Sequence, residues 1–273
     1  HKTDSIIYSN NQGVGKVKGG FMEPMRAKEF EGQNTNGWLM SEKLNGVWAG
    51  WTGSELLSKK GNKFFAPAWF TEQLPAVAKL NGELYIGRGK FEQTLSAVRK
   101  KKPIDAEWEN IRYRVFEAPE CRGGIETRLA FCHEILAGCS VASVIKQEIC
   151  KGTAHLNEFF EGLVSAGAEG IMLHKPGCKY EGRKSNNLLK YTPLSSAEGE
   201  VISYKPGKGK HLGRVGALIC KWQDKIITLG TGLSDDIREM PPRMGAQVTF
   251  TFKGLTCYGI PRHQVFVTER NYE

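Results

Sequence analysis

Runs of alternating apolar and polar residues recur along this chain and predict strands, with fewer segments at helical spacing between them. Before residue 195, strands are predicted at 38–40, 47–51, 55–62 (ending in a turn), 83–89, 111–117, 170–174 and 188–191. Helices are predicted at 67–80, 91–100, 126–150 and 155–167. Residues 1–37 are polar and rich in glycine, and we expect them to form a loosely ordered arm.

The pattern changes after residue 198, where short β runs follow one another without helices between them. These runs lie at 200–204, 215–220, 225–229, 247–252 and 264–267. Five strands separated by glycine, proline and lysine are typical of a small β-barrel of the OB type. We therefore predict an α+β chain of two domains, residues 1–195 and residues 196–273.

Composition agrees with a globular protein that has room for two domains. Of the 273 residues, 40% are hydrophobic and 25% are charged. The net charge is +9, from 38 basic against 29 acidic side chains. This excess favours a polyanionic partner, and nucleic acid is the first candidate, although some basic proteins are merely soluble.

The seven cysteines are scattered and include no C-x-x-C pair. This spacing excludes a disulfide framework and the usual zinc sites, so we expect reduced thiols in an intracellular, cytoplasmic protein. No apolar run has the length needed to span a membrane, and we expect no membrane partner. His1 can mark a trimmed start, which leaves a removed export leader open.

The first candidate for chemistry is Lys43, in the stretch 41–47 that reads S-E-K-L-N-G-V. Asn45-Gly46 predicts a turn between two strands, which would place Lys43 at the mouth of a hairpin. A lysine that loses hydration there can act as a nucleophile. The commoner alternative is a lysine that extends from a strand edge into solvent, and the K-x-x-G pattern alone does not decide.

Five further segments follow Lys43 in order along the chain. Together with Lys43 they provide a nucleophile, an acid for ribose hydroxyls, an aromatic face for a base, a carboxylate for a hard cation and a cation for phosphate. The segments are 58–61, 82–84, 115–119, 169–173 and 188–191. This set contains the parts needed to bind a nucleotide and displace its pyrophosphate.

The ordered series resembles the ATP-dependent DNA ligases of the nucleotidyltransferase superfamily, above all the minimal two-domain ligases of bacteria and phages. The resemblance runs from about residue 40 to residue 270 and includes the pieces 87–92, 180–185, 207–210 and 254–256. It implies a nucleotidyltransferase (adenylation) domain with antiparallel sheets flanked by helices, followed by an OB-fold barrel.

The resemblance also implies roles for individual residues. Lys43 would be the nucleophile that carries AMP, with Asn45 and Lys190 as further catalytic residues. Contacts to ATP are implied for Glu42, Leu44, Lys59, Glu83, Phe116 and Lys190. The implied cofactors are ATP and Mg²⁺, for which Mn²⁺ can substitute.

Three of these residues would have distinct tasks. The resemblance implies that Glu83 accepts the ribose hydroxyls, that Phe116 stacks on adenine, and that Glu169, with Glu83, binds the metal. Taken singly, the two carboxylates could be surface groups and Phe116 a core ring. Their order in the series favours a site.

The chain departs from the family pattern at several positions. Asn45 stands where an aspartate is usual, Trp48 and Lys59 where arginine is usual, and Thr192 where a second lysine is usual. Arg270 is the best remnant of the last motif. Slow adenylation is therefore expected, and the alternatives are an RNA ligase of the same superfamily or a catalytically weakened nucleic-acid-binding relative.

To seal a nick, a protein must bind the duplex backbone without sequence-specific base contacts, so contacts to phosphates should dominate. The expected partner is nicked double-stranded DNA, bound by a monomer. The predicted DNA-binding residues are Lys59, Arg183, Lys205, Lys208, Lys210 and Arg214.

Overall fold

The chain divides into two compact units, with the boundary between Tyr191 and Thr192. The structure is a computed structural model, and it describes residues 17–18, 21–256 and 258–270. The predicted boundary, between residues 195 and 196, lies at the start of a strand. That strand begins at Ser195, whereas the sequence pattern predicted it only from residue 200.

The first unit combines thirteen strands with five helices among its described residues. The strands are β1 (Val17–Lys18), β2 (Phe21–Met22), β3 (Arg26–Glu29), β4 (Leu39–Glu42), β5 (Val47–Trp51), β6 (Leu56–Leu57), β7 (Lys63–Phe64), β8 (Leu80–Tyr85), β9 (Arg112–Glu117), β10 (Ala142–Val144), β11 (Glu148–Ile149), β12 (Ile171–His174) and β13 (Lys184–Tyr191). The helices are α1 (Ala68–Thr71), α2 (Phe91–Val98), α3 (Asp105–Trp108), α4 (Ile125–Ile135) and α5 (Thr153–Ser165).

The first sheet has six strands in the order β10-β9-β8-β5-β6-β7. Strand β9 alternates as the sequence predicts, with Tyr113 and Val115 fully buried in the core and Phe116 on the opposite face. Asn81 and Gly82, which were expected to end a helix, lie instead within β8. A β-carbon at Gly82 would lie 2.6 Å from the Arg114 carbonyl oxygen, so only glycine allows β8 to approach β9 this closely.

The second sheet has five strands in the order β11-β4-β12-β13-β3. Its first four strands pair antiparallel, whereas β3 runs parallel to β13. The prediction of a loose arm over residues 1–37 is therefore wrong at 26–29, because this polar segment gains backbone partners from β13. The prediction is also wrong at β1 and β2, which pair antiparallel with each other, while residues 1–16 and 19–20 lie outside the described part of the chain.

The hairpin predicted around Lys43 is wrong. Strand β4 belongs to the second sheet and β5 to the first, so the residues between them connect two sheets. A two-residue hairpin turn of the Asn-Gly type needs positive φ at both residues, and neither Asn45 nor Gly46 has it. The Gly46 N–H instead donates a hydrogen bond to Glu83 Oε2 on β8, at 2.8 Å.

Two predicted helices are shorter than the pattern suggested. The helix expected over 67–80 is reduced to α1, and that expected over 126–150 ends at Ile135 and is followed by β10 and β11. Residues 142–144 pair parallel with β9, which gives this apolar segment a place beside the core sheet. Short apolar runs do not distinguish a buried strand from a buried helix by periodicity alone.

The second unit is the predicted five-stranded barrel. Its elements are β14 (Ser195–Pro206), a 3₁₀ helix (Gly209–His211), β15 (Val215–Trp222), β16 (Lys225–Leu229), α6 (Asp235–Glu239), β17 (Gln247–Phe252) and β18 (Val265–Arg270). The strand order is β16-β15-β14-β17-β18. A parallel bridge between Thr231 and Val265 brings the two edges together, as closure of an OB barrel requires.

The six cysteines in the described part of the chain are all free. None of the described helices combines the length and apolar character that a membrane crossing demands.

Candidate active site

A cavity of about 310 Å³ opens within the first unit, between the six-stranded first sheet and the five-stranded second sheet. From the first sheet, Trp48, Glu83 and Phe116 line it. From the second sheet come Ser41, Met172, His174, Leu188 and Lys190. Its size falls in the range of small-molecule sites, with apolar walls and a few polar groups.

Lys43 lies at this cavity because of strand register. Glu42 at the end of β4 pairs with Ile171 of β12, and the Lys43 N–H continues the ladder by donating to the Gly170 carbonyl at 2.9 Å. This register sets Lys43 beside Glu169, and Lys43 Nζ lies 2.7 Å from Glu169 Oε2. The structure therefore brings together two predicted site residues that are far apart in sequence.

Gly46 and Glu83 form the next contact of the site. A β-carbon at Gly46 would lie 2.7 Å from the Leu84 carbonyl oxygen and 2.9 Å from Glu83 Oε2, so the residue must be glycine for the chain to cross β8. Burial raises the pKa of Glu83, while the Gly46 N–H and the charge of Lys43 oppose this shift. A buried carboxylate that keeps a backbone donor is suited to accepting further hydrogen bonds from a ligand.

Phe116 and Lys190 face the cavity from opposite sheets. Lys190 lies opposite Met172 on β12, and its Nζ is 3.0 Å from Glu29 Oε1 on β3. The cavity thus has an aromatic ring on one side and a half-exposed cation on the other. This pairing suits a ligand with a flat ring and a negatively charged group.

The residues flanking Lys43 have different surroundings. Leu44 is buried and lines the cavity. The Glu42 carboxylate also lies at the cavity but is held by Arg88 through two hydrogen bonds, from Nε at 2.8 Å and from Nη2 at 2.9 Å. Asn45 is exposed, and the structure does not place it among the residues that line the cavity.

Lys59 and Trp48 occupy the positions where the family pattern has arginine. Both line the cavity, and Lys59 Nζ lies 5.8 Å from the centre of a Trp48 ring. Loss of hydration lowers the pKa of Lys59; the charge of Lys43 adds to this, and Glu83 opposes it. This side of the cavity therefore carries the compact ammonium group of Lys59, which lies over the aromatic ring of Trp48.

The acidic groups at the cavity are few. No cluster of three or more histidine, cysteine or acidic side chains that could hold a metal occurs among the residues described. The predicted metal ligands, Glu83 and Glu169, both lie near Lys43. The charges of Lys43 and Glu169 act on the pKa of Glu83, and Lys43 Nζ is 2.7 Å from Glu169 Oε2. Two carboxylates fit Mg²⁺, which usually takes one or two from the protein and completes its shell with water and substrate phosphate oxygens.

Several cavity residues were missed from the sequence. Gln147 fell in the segment predicted as helix, so its place could not be inferred. His174 ends a predicted strand but belongs to no motif, and a lone histidine gives no functional signal. Both reach the cavity only because β11 and β12 flank β4 in the second sheet.

His174 gives a testable pH dependence of stability. Burial, helped by the charge of Arg128, lowers the pKa of His174 from 6.5 to about 3. Between these values the unfolded chain binds a proton that the folded chain does not, so stability is complete above about pH 6.5 and decreases as the pH falls. At pH 5 the loss should be roughly 2 kcal/mol.

We expect His174→Leu to remove this loss, which urea unfolding at pH 7 and pH 5 would measure. His133→Leu, at the exposed end of α4, serves as the control and should keep the wild-type change between the two pH values. Equal losses in wild type and His174→Leu would contradict the assignment.

The basic residues predicted to bind DNA lie in both units. Lys205, Lys208 and Lys210 are exposed near the turn between β14 and β15. Arg214 lies in the same segment, but its Nη2 is 2.6 Å from Glu239 Oε1 on α6. In the first unit, Arg183 is largely exposed and pairs with Glu181 at 3.0 Å.

Comparison with known proteins follows the same division of the chain. The family model of a DNA ligase OB-like domain matches residues 206–270. A curated DNA ligase of Haemophilus influenzae is 32% identical over 243 residues, which cover 88% of this chain and 90% of the relative. The sequence similarity therefore includes most of both units.

Solved structures extend the comparison to the backbone. A structure from a study titled "DNA binding with a minimal scaffold: Structure-function analysis of Lig E DNA ligases" superposes with a TM-score of 0.77 and 33% identity, covering 92% of this chain and all of that chain. The DNA ligase-adenylate of Chlorella virus superposes with a TM-score of 0.53 at 20% identity, covering 92% of this chain and 99% of that chain. At that identity the second match concerns the fold alone.

Proposed function

Since the chain belongs to the DNA ligase family, whose members seal nicks in DNA, we propose that it stores adenylate from ATP on Lys43. The main observation that supports this proposal is that Lys43 lies at a cavity lined by Phe116, Glu83 and Lys190, with Glu169 at 2.7 Å from its amine. A nucleotide fits these groups, because they match its base, sugar and phosphates in turn.

In the first step, the neutral amine of Lys43 attacks the α-phosphorus of ATP. A P–N bond forms, the bond to the oxygen bridging the α- and β-phosphates breaks, and pyrophosphate leaves with the electron pair. The amine must first give up a proton, which passes to solvent, because the Glu169 carboxylate that lies 2.7 Å from it is proposed to hold the metal. Lys190 and Lys59 would balance the negative charge that develops on the phosphates.

The other side chains would orient the nucleotide. Phe116 offers its ring to the adenine, a contact that tolerates small changes in position. Glu83 keeps one oxygen on the Gly46 N–H, which leaves its remaining acceptor capacity for the ribose hydroxyls. Leu44 supplies buried apolar surface beside them.

We propose Mg²⁺ or Mn²⁺ as the metal cofactor. When bound, the ion would neutralise charge on the triphosphate. Glu169 and Glu83 are the residues that would hold it, together with phosphate oxygens and water.

The later steps would transfer the AMP to a 5′-phosphate at the nick and then join the strands. In the transfer, a 5′-phosphate oxygen attacks the adenylate phosphorus and the P–N bond to Lys43 breaks. In the joining, the 3′-hydroxyl attacks the 5′-phosphorus, loses its proton and expels AMP. A monomer suffices for this scheme, because the nucleotide-binding cavity is formed within one unit of one chain.

A joining assay tests the scheme. Wild-type protein with ATP and Mg²⁺ should seal a nick in duplex DNA and should seal the same nick far more slowly when both strands are RNA. Preference for the RNA nick would favour the RNA ligase alternative. Failure to seal any nick, including a pre-adenylated one, would leave a protein that only binds nucleic acid.

The exposed lysines of the second unit are proposed to bind the DNA backbone. Each phosphate contact that is lost should lower the slope of log affinity against log salt by about one. We therefore expect Lys208→Ala/Lys210→Ala to reduce the slope for nicked duplex by about two, which fluorescence anisotropy at several salt concentrations would measure. Formation of the adenylate without DNA should be unchanged.

Lys225→Ala is the matched control for this pair. Lys225 is the first residue of β16 and pairs with Trp222 at the far end of β15, and its Nζ is 2.7 Å from Asp224 Oδ2. This variant should keep the wild-type slope. An unaltered slope in the double variant would place the DNA contact elsewhere.

A further inference from the structure

Gln147 lies where the two sheets of the first unit are joined at one end of the cavity. The Ile145 N–H donates to the Val115 carbonyl at 2.8 Å, next to Phe116 on β9. Two residues beyond Gln147, Ile149 pairs with Leu39 of β4 in the second sheet. The segment 145–147 therefore closes the cavity beside the aromatic ring.

The side-chain amide of Gln147 has a fixed orientation. Its Nε2 donates a hydrogen bond to the Ile145 carbonyl oxygen at 3.2 Å. The reverse orientation would set two oxygen acceptors against each other, so the nitrogen must face Ile145. Oε1 is then the atom left over.

Gln147 Oε1 is buried and has no hydrogen-bond partner within the described part of the protein. An unpaired buried acceptor is unfavourable, and a hydrogen-bond donor from water or from a bound group would relieve it. Gln147 also lines the cavity, together with Ile145 and Phe116. The cavity therefore has an unused acceptor at the end where the base would lie.

We propose that Gln147 selects adenine by accepting a hydrogen bond from its exocyclic amino group. The proposal rests on the proposed function, since it assumes that the base of ATP stacks on Phe116 while its phosphates reach Lys43. Adenine carries an N–H donor at this ring position, and guanine carries a carbonyl oxygen. With guanine, two acceptors would meet without a proton between them, so Gln147 would also reject GTP.

The test compares ATP with purine riboside 5′-triphosphate, which lacks only the amino group, and with GTP. The measurement is the rate of covalent nucleotide attachment to the protein in the absence of DNA. Wild type should use ATP about tenfold more efficiently than the analogue, and GTP should be at least about a hundredfold poorer than ATP. Equal efficiency with ATP and the analogue would overturn the proposal without any variant.

Gln147→Met removes the acceptor and keeps the length of the side chain. In this variant the preference for ATP over the analogue should fall to about one, because the amino group has lost its partner. An equal loss of rate with both nucleotides would show that Gln147 only supports the fold and would overturn the proposal.

Gln73→Met is the control, because Gln73 is an exposed amide that donates to the Trp69 carbonyl, far from the segment 145–147 in sequence. It should keep the wild-type preference. If wild type attaches no nucleotide from any triphosphate, the proposed use of ATP fails, and the role of Gln147 with it. This outcome is distinct from attachment without discrimination, which overturns the role of Gln147 alone.

Discussion

Replacing Lys43 by alanine is expected to lower the rate of covalent adenylate formation by roughly 10⁴-fold or more, because no other group at the cavity takes the place of the attacking amine. Lys59 and Lys190 also line the cavity, but Lys43 is the lysine beside Glu169. The measurement is transfer of label from α-labelled ATP to the protein, followed on a denaturing gel.

Lys43→Arg separates the nucleophile from the positive charge. A guanidinium can keep the ion pair with Glu169, but it remains protonated and does not attack phosphorus. We expect no adduct with this variant, whereas Lys190→Arg should retain part of the activity, because Lys190 is proposed to act through its charge.

Both Lys43 variants should still join a pre-adenylated nick, since that step no longer needs the amine. Lys60→Ala, on the exposed turn after β6, is the control and should form the adduct at the wild-type rate. A labelled adduct that persists in Lys43→Ala would exclude Lys43 as the nucleophile.

Replacing Arg128 by methionine is expected to lower the free energy of unfolding by about 3–5 kcal/mol, because it leaves a buried carboxylate without its partner. Arg128 is fully buried, and its Nε and Nη2 donate to Glu117 at 2.6 and 3.0 Å. Its Nη1 also donates to the carbonyls of Gly123 and Cys178. Urea unfolding would measure the loss.

The second partner provides a way to separate charge from packing. Glu117→Leu/Arg128→Met removes both charges, and we expect it to be more stable than Arg128→Met alone. Arg122 is an exposed arginine in the loop between β9 and α4. Arg122→Met should change the free energy of unfolding by less than about 0.5 kcal/mol. A loss below about 1 kcal/mol in Arg128→Met would contradict a stabilising role for the pair.

The buried pair also bears on the active site. Glu117 directly follows Phe116 on β9, and its Oε1 accepts a hydrogen bond from the Ala118 N–H at 3.0 Å. The pair therefore fixes the end of the strand that presents the aromatic ring to the cavity. Glu117 lies in the segment 115–119 that the sequence analysis singled out, but Arg128 belongs to none of those segments, so the ion pair was not predicted.

Much of the fold and the family were accessible from sequence. The five strands of the barrel follow period-2 alternation between turn residues, which are local properties of the chain. The membership in the DNA ligase family is confirmed, and it was visible in the order of short motifs around Lys43, Glu83, Phe116, Glu169 and Lys190. The roles of these residues stay predictions that the experiments above address.

The tertiary structure alone decided which strands pair and which side chains meet. The segment after Lys43 looked like a hairpin, yet β4 and β5 enter different sheets, because each gains more from partners distant in sequence than from the other. The same long-range pairing brings Gln147 and His174 to the cavity and buries Arg128 against Glu117. Local alternation and turn residues set the elements, whereas burial and backbone pairing between remote segments set the site.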